Sequence, residues 1–78
     1  MSRTTNIRNK TPLGIVIATA LKNQNKTQRW LAEKTGISFA YIWMITVGNS
    51  VPSIKFLEKI SNVLQIDIND LISAILKD

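Results

Sequence analysis

The side chains able to do chemistry in this chain lie mainly between Thr27 and Ser53, and their types favour binding over catalysis. The 78 residues include no Cys and no His, which removes the commonest nucleophilic thiol, the commonest general base and most zinc chemistry. No nucleophile, base and orienting group fall together, and the sequence has no glycine-rich phosphate loop. We therefore expect no enzymatic activity, no metal and no cofactor.

Positive charge is concentrated in the first half of the chain. The formal net charge is +5, and Glu33 is the lone acidic residue before Gly36. An anionic partner is indicated, nucleic acid ahead of a membrane surface, and a merely solubilising surface is the alternative. The basic residues before Gly36 are Arg3, Arg8, Lys10, Lys22, Lys26, Arg29 and Lys34, whereas Lys55, Lys59 and Lys77 are outnumbered afterwards by Glu58, Asp67, Asp70 and Asp78.

The length is that of one small domain, near the lower limit at which a hydrophobic core is stable unaided. Residues 1–10 are polar and basic, so we predict a flexible basic N-terminal arm there and a single domain over residues 11–78. No apolar run approaches the roughly 20 residues needed to span a bilayer, and the start does not have the pattern of a signal sequence. These features predict a cytoplasmic protein.

Apolar residues recur at helical spacing in five segments, and nothing indicates a strand or a repeat. The first segment opens with Thr11 as N-cap and Pro12 in the first helical position, and it extends to about Asn23. The residues that follow the helical period are Leu13, Val16, Ile17, Ala20 and Leu21 in helix one, Leu31 and Ala32 with Trp30 in helix two, Ile42 and Ile45 as the buried face of helix three, Ile54, Leu57, Ile60, Ser61 and Leu64 in helix four with Lys55 and Lys59 on its other side, and Leu71, Ile72, Ile75 and Leu76 as one apolar stripe of helix five.

Residues 27–47 are predicted to form two short helices joined by a tight glycine turn. Thr27 is the expected N-cap of helix two, and Gly36 ends that helix in the left-handed conformation. Ser38 then caps helix three, which ends before Gly48. This is the outline of a DNA-reading element.

Two more helices complete the predicted fold. Ser53 is the expected N-cap of helix four, which ends near Gln65. Either Asp67 or Asn69 caps helix five. The sequence therefore predicts an all-α domain.

The segment TQRWLAEKTGIS, residues 27–38, resembles the T-Q-x-x-L-A-x-x-x-G-[IV]-S signature of the lambda-repressor-like, Cro-type helix-turn-helix proteins, also called the xenobiotic-response-element family. The resemblance covers about Leu13 to Leu71, because LEKISNVLQIDINDLI is also similar to a later segment of that family. It implies a five-helix lambda-repressor-like helix-turn-helix domain. In such domains the N-terminal part of helix three enters the major groove of DNA, and helix two lies across the phosphate backbone.

The resemblance also implies which residues contact DNA. Gln28 and Ser38 match the family's motif, and Arg29 is expected beside phosphate when Gln28 binds as in the family. Asn49 is expected to add hydrogen bonds to the DNA backbone. The outward positions of helix three are Ser38, Phe39, Ala40, Tyr41, Trp43, Met44 and Val47.

Helix three departs from the family pattern in two ways. It has no Arg, Lys, Asn or Gln, the side chains that form bidentate hydrogen bonds with guanine or adenine. Thr46 and Val47 also replace a polar pair that the family often carries before the closing glycine. Both departures leave the ligand of this helix open.

Three interpretations of helix three follow. In the first, Phe39, Ala40 and Met44 lie against thymine methyl groups while the Tyr41 hydroxyl and the Trp43 indole donate to phosphates or bases. In the second, the aromatic face binds a protein, because aromatic residues and Met are enriched in interface cores. In the third, some of the rings fold back into the core. Trp30, on helix two, is the aromatic residue best suited to a purely structural role.

Two further surfaces are expected to bind. The arm residues Arg3, Arg8 and Lys10 wrap onto DNA phosphate, with an unbound tail as the alternative. The apolar stripe of helix five forms a dimer surface, with closure of the core as the alternative. The residues of that stripe are Ile72, Ile75 and Leu76.

The expected function is that of a small DNA-binding transcriptional regulator, Cro-like or immunity-repressor-like, of phage or prokaryotic type. A homodimer would place two third helices in successive major grooves of double-stranded DNA. The alternative is a protein-binding module of the same fold, which uses the aromatic face of helix three to modulate another regulator. No membrane partner is expected.

Overall fold

The computed structural model describes residues 11–76, and all the secondary structure within them is helical. This confirms the predicted all-α class with five helices. The predicted arm over residues 1–10, with Arg3, Arg8 and Lys10, lies outside the described residues. Between residues 11 and 76, no helix has the length and apolar character needed to cross a bilayer. The helices are α1 (Pro12–Asn23), α2 (Gln28–Thr35), α3 (Phe39–Thr46), α4 (Ile54–Leu64) and α5 (Ile68–Leu76).

Each of the first four helices begins at a Ser or Thr whose hydroxyl oxygen accepts a backbone N–H of the first turn, as the sequence predicts. The four hydrogen bonds measure 3.0–3.1 Å and join Thr11 to Gly14, Thr27 to Trp30, Ser38 to Tyr41 and Ser53 to Phe56. At α5 the cap is Asp67, because its Oδ1 accepts the N–H of Asn69 at 2.9 Å. Asn69 itself lies inside the helix.

The core receives side chains from all five helices. Its fully buried members include Ile17, Leu31, Ile42, Ile60 and Leu71. The remaining buried apolar residues are Leu13, Ala20, Leu21, Ile45, Phe56, Leu57, Leu64 and Ala74. Both α3 residues in this set, Ile42 and Ile45, were predicted to face inward.

The prediction for the buried face of helix four was wrong at its first turn. Ile54 was placed on that face, but its side chain is 62% exposed, whereas Phe56 is only 3% exposed. The buried stripe contains Phe56, Leu57, Ile60 and Leu64, which recur at helical spacing. Ile54 lies well to one side of that stripe, at the end of the helix.

A close backbone contact fixes α3 against α1. The carbonyl oxygen of Thr46 accepts the N–H of Thr11 at 3.0 Å and the Thr11 hydroxyl at 3.2 Å. The buried Thr46 hydroxyl donates to the carbonyl of Trp43 at 2.8 Å. A Cβ atom added to Gly14 would collide with the Thr46 carbonyl oxygen. Gly14 thus lets the two helices approach more closely than any larger residue would allow.

Candidate functional site

The link between α2 and α3 is a three-residue turn with glycine at its start. Gly36 has φ +74°, in the left-handed region, and its N–H donates to the carbonyl of Ala32 at 2.9 Å. The buried Thr35 hydroxyl donates to the carbonyl of Leu31 at 2.8 Å and accepts the N–H of Ile37 at 3.2 Å. Ile37 then packs against the core. These hydrogen bonds and the packing of Ile37 hold the predicted turn between the two helices.

A lysine of α4 also supports the turn. Nζ of Lys59 donates to the carbonyl of Thr35 at 3.4 Å, at the C-terminal end of α2. A cation at this end of a helix is favourable, because the last carbonyls carry partial negative charge. This role could not be predicted from the sequence, because Lys59 lies on the polar side of α4 and its partner is distant along the chain.

Helix α3 divides into a buried side and an exposed side. Ile42, Ile45 and Thr46 are buried, whereas the side chains of Phe39 and Trp43 are 40% and 42% exposed. Ala40 is exposed between them. We call Phe39, Ala40 and Trp43 the exposed α3 face, because their spacing of one, three and four residues places them on one side of the helix.

Three of the predicted outward positions are only partly exposed. Tyr41, Met44 and Val47 are half-buried. The Tyr41 ring lies edge-on to the Phe56 ring, with centroids 5.6 Å apart and planes at 84°. This contact draws Tyr41 toward α4, in partial agreement with the interpretation that rings fold back. Phe56 could not be assigned this role from the sequence, because the partner ring lies on another helix.

Two cations lie on aromatic rings. One belongs to α2, and the other belongs to the residue just before the N-cap of that helix. Nζ of Lys26 is 4.9 Å from the centroid of the Trp30 ring, and Trp30 packs against the core. The guanidinium carbon of Arg29 is 5.1 Å from the centroid of the Phe39 ring. Both distances are within the range of cation–π attraction. The second contact brings a positive charge to the edge of the exposed α3 face.

The other predicted contact residues lie at the ends of α2 and α3. Gln28 is the first residue of α2 and is half-buried, and its Oε1 is buried with no hydrogen-bond partner among the described residues. Ser38 is exposed at the start of α3, where its side chain serves as the N-cap. Asn49 is also exposed, and its backbone N–H donates to the carbonyl of Met44 at 2.8 Å. Gln28 and Ser38 therefore begin the two helices of the unit, and Asn49 follows the second.

The carboxylates are not arranged to hold a metal ion. Within residues 11–76, no three Asp or Glu side chains come together as a cation site would require. One acidic residue, Glu33, does border the depression between α2 and α3, together with Arg29 and Phe39. The site thus offers an apolar surface edged by both a cation and a carboxylate.

The comparisons with known proteins agree with this geometry. A helix-turn-helix family model, HTH_3, matches residues 17–71. The chain is also similar to a solved structure described as the N-terminal DNA-binding domain of SinR from Bacillus subtilis, with a TM-score of 0.72 and 34% identity over 77% of this chain and 88% of that one. A search of curated proteins found no significant match.

The family match covers more than half of the chain and includes the whole of α2, α3 and α4 with the glycine turn described above. The similar domain from SinR has the same all-α fold, which confirms the resemblance seen in the sequence. Family and fold are those of DNA-binding regulators rather than of enzymes. The chain therefore belongs to the HTH_3 family of lambda-repressor-like helix-turn-helix proteins.

Proposed function

We propose that this chain is a small transcriptional regulator, Cro-like or immunity-repressor-like, that binds double-stranded DNA with α3 in the major groove. The observation that carries the proposal is the position of Arg29, whose guanidinium lies on Phe39 at the edge of the exposed α3 face. A groove-binding helix needs a cation beside it, because the phosphates that flank the groove must be neutralised. The identity of 34% with a domain described as DNA-binding supports the same ligand.

Each site residue then has a role in the complex. Gln28 and Arg29 hold phosphate from the start of α2, and Asn49 contacts the backbone after α3. Ser38 and the exposed α3 face meet base edges, and Tyr41 and Met44 contribute from its borders. The arm residues Arg3, Arg8 and Lys10 add phosphate contacts. We further propose that the protein acts in the cytoplasm as a phage or prokaryotic regulator, with no membrane partner.

A homodimer would place two copies of α3 in successive major grooves. The dimer surface that we propose is the outer side of α5. Leu76 is 79% exposed there, whereas Ile72 and Ile75 are half-buried against the core. The contact between copies therefore depends mainly on Leu76, and the half-buried Ile72 and Ile75 contribute a smaller part.

Fluorescence anisotropy can test the proposal directly. Labelled DNA from the region upstream of the gene is titrated with the protein at several salt concentrations, and scrambled DNA of equal length is the control. We expect tighter binding to the upstream DNA that persists at moderate salt. Equal, weak binding to both DNAs that vanishes with salt would mean that the basic residues provide only non-specific electrostatic attraction. That result would contradict the proposal.

A second candidate function is a protein-binding module that modulates another regulator. It is favoured by the exposure of Phe39 and Trp43, at 40% and 42%, since large exposed aromatics are typical of protein interfaces. Under this function, Trp43→Ala abolishes capture of the partner in a pull-down, whereas Arg29→Ala leaves it intact. Under the DNA-binding function, Arg29→Ala weakens the interaction with the ligand.

A further inference from the structure

The chemistry of the exposed α3 face restricts what it can recognise. Phe39 and Trp43 stand one helical turn apart, with the methyl group of Ala40 exposed beside them. None of the residues of α3 has the amide or guanidinium group that forms paired hydrogen bonds with a purine. The apolar group that B-DNA displays in its major groove is the C5-methyl of thymine. A 5-methylcytosine displays the same methyl at the same place.

The shape of the face fits a methyl group. Ala40 is exposed and is the smallest side chain of the three, so it leaves room beside the two aromatic rings for a group the size of a methyl. Tyr41 is turned toward Phe56, with ring centroids 5.6 Å apart, which removes one hydroxyl from the centre of the face. Apart from the indole N–H of Trp43, the side chains of the face are hydrocarbon, and carbon contacts favour methyl groups over polar base edges.

The charge beside the face favours DNA over an apolar protein surface. Arg29 lies on Phe39, so a cation stands at the edge of the exposed α3 face. Glu33 is the one carboxylate that borders the same depression. Phosphates flank every methyl group in the major groove, which matches an apolar face with a cation at its edge.

We propose that the exposed α3 face binds the 5-methyl groups of pyrimidines in the major groove, so that the protein selects thymine, and accepts 5-methylcytosine, at the contacted positions. This inference rests on the proposed DNA-binding function and names the chemical group that α3 reads. It also predicts an order of preference at each such position. Thymine and 5-methylcytosine bind well, whereas uracil and cytosine bind poorly.

The test begins with a duplex selected by the protein from a random-sequence pool. Each thymine of that duplex is replaced in turn by deoxyuridine, which removes the methyl group and keeps every hydrogen-bonding group of the base. At the contacted positions the dissociation constant is expected to rise about fourfold per methyl lost, the effect of burying one CH₂-sized group. At the same positions a 5-methylcytosine–guanine pair is expected to bind several-fold more tightly than a cytosine–guanine pair.

Two variants test whether the exposed α3 face causes the preference for the methyl group. In Trp43→Ala, the ratio of affinities for thymine and uracil duplexes should fall toward one, because the ring that contacts the methyl is gone. In Arg29→Ala, the matched control, binding to both duplexes should weaken by the same factor and the ratio should be unchanged. Circular dichroism checks that both variants are folded. The ratio of affinities for thymine and uracil duplexes measured with the wild-type protein tests the inference without either variant.

Two outcomes would overturn the inference, and they differ in what else they overturn. If the selected duplex binds with sequence preference but uracil is tolerated at every thymine, methyl recognition is wrong and the regulator function stands. If the pool yields no preferred sequence at all, the DNA-reading function fails and methyl recognition fails with it. The exposed aromatic face would then be assigned to a protein partner.

Discussion

Arg29 and Phe39 form a contact across the helix-turn-helix that joins a charge to an apolar surface. The guanidinium carbon lies 5.1 Å from the ring centroid, so the side chain of Arg29 is held at the edge of α3 instead of sampling all its rotamers. An ordered cation loses less conformational entropy when it binds phosphate. In the proposed complex with DNA, Phe39 therefore contributes both through its own surface and by orienting Arg29.

The first prediction concerns this cation. Arg29→Ala should weaken DNA binding and make the dependence of log K on log salt shallower by about 0.9, the value for one phosphate contact. Anisotropy titrations at several salt concentrations give both quantities. The matched control is Lys34→Ala, which removes the same charge from another side of α2. If the two variants gave equal slopes, net charge alone would explain the binding.

The second prediction concerns the glycine that separates α1 from α3. Gly14→Ala adds a methyl group that must collide with the Thr46 carbonyl oxygen. We expect the free energy of unfolding to fall by about 1–3 kcal/mol, the usual cost of overpacking. In an ordinary helix interior the same substitution is stabilising, so the sign is informative.

Urea denaturation followed by circular dichroism measures this change. Thr19→Ala, at an exposed position of α1, is the control and should alter stability little. An increase in stability on Gly14→Ala would show that the two helices do not approach so closely.

At the scale of the elements, two turns differ in how they use the left-handed conformation. Gly36 adopts φ +74° at the end of α2, where glycine meets no steric penalty. Gln65 adopts φ +57° at the end of α4, although it has a side chain. This strain is offset in part by hydrogen bonds around it. Gln24 Nε2 donates to the carbonyl of Leu64 at 2.8 Å, and the Ser61 hydroxyl donates to the carbonyl of Ile66 at 2.7 Å.

The third prediction follows from this difference. Gln65→Gly should raise the free energy of unfolding by about 1 kcal/mol, because it removes the left-handed penalty of a side chain. Gly36→Ala should lower it by about 1–2 kcal/mol for the same reason. No atom lies within 4 Å of a Cβ added at Gly36, so that loss reports backbone strain alone. Thermal unfolding compares the two, and shifts of equal sign would contradict this account.

The elements also show where sequence reasoning succeeds. Helix starts were predictable because a Ser or Thr hydroxyl acts on a backbone group three residues away, and the end of α2 was predictable because glycine tolerates positive φ. Ile54 was placed on the buried face of helix four, where Phe56 lies instead, because the position of an apolar stripe is ambiguous at a helix end. The orientation of Tyr41 was not predictable, since it depends on a ring of another helix. Within the candidate site, the sequence located the two helices and the inward side chains Ile42 and Ile45, but not the half-burial of Tyr41, Met44 and Val47.

At the scale of the whole molecule, the proposed homodimer depends on α5. Its last described residue, Leu76, is 79% exposed, whereas Leu71 and Ala74 close the core against α1 and α4. An apolar side chain that contributes nothing to the core and extends into solvent is suited to a contact between copies. The half-buried Ile72 and Ile75 cannot test this, because their loss would also weaken the fold.

The fourth prediction is that Leu76→Asp yields a folded monomer. Sedimentation equilibrium should give the mass of a dimer for the wild-type protein and half that mass for the variant at equal concentration. The control is Ala40→Asp, which should stay dimeric while losing DNA binding. A Leu76→Asp variant with the wild-type mass would rule out this end of α5 as the interface.

The hydrogen bonds between Thr11 and the Thr46 carbonyl also have a practical consequence. They anchor the point at which residue 11 enters the fold to the last turn of α3. A purification tag or fluorescent protein fused ahead of residue 1 is therefore joined, through residues 1–10, to a point beside the helix whose binding is to be measured. Affinities obtained with such fusions should be compared with those of the tag-free protein before they are attributed to the interface.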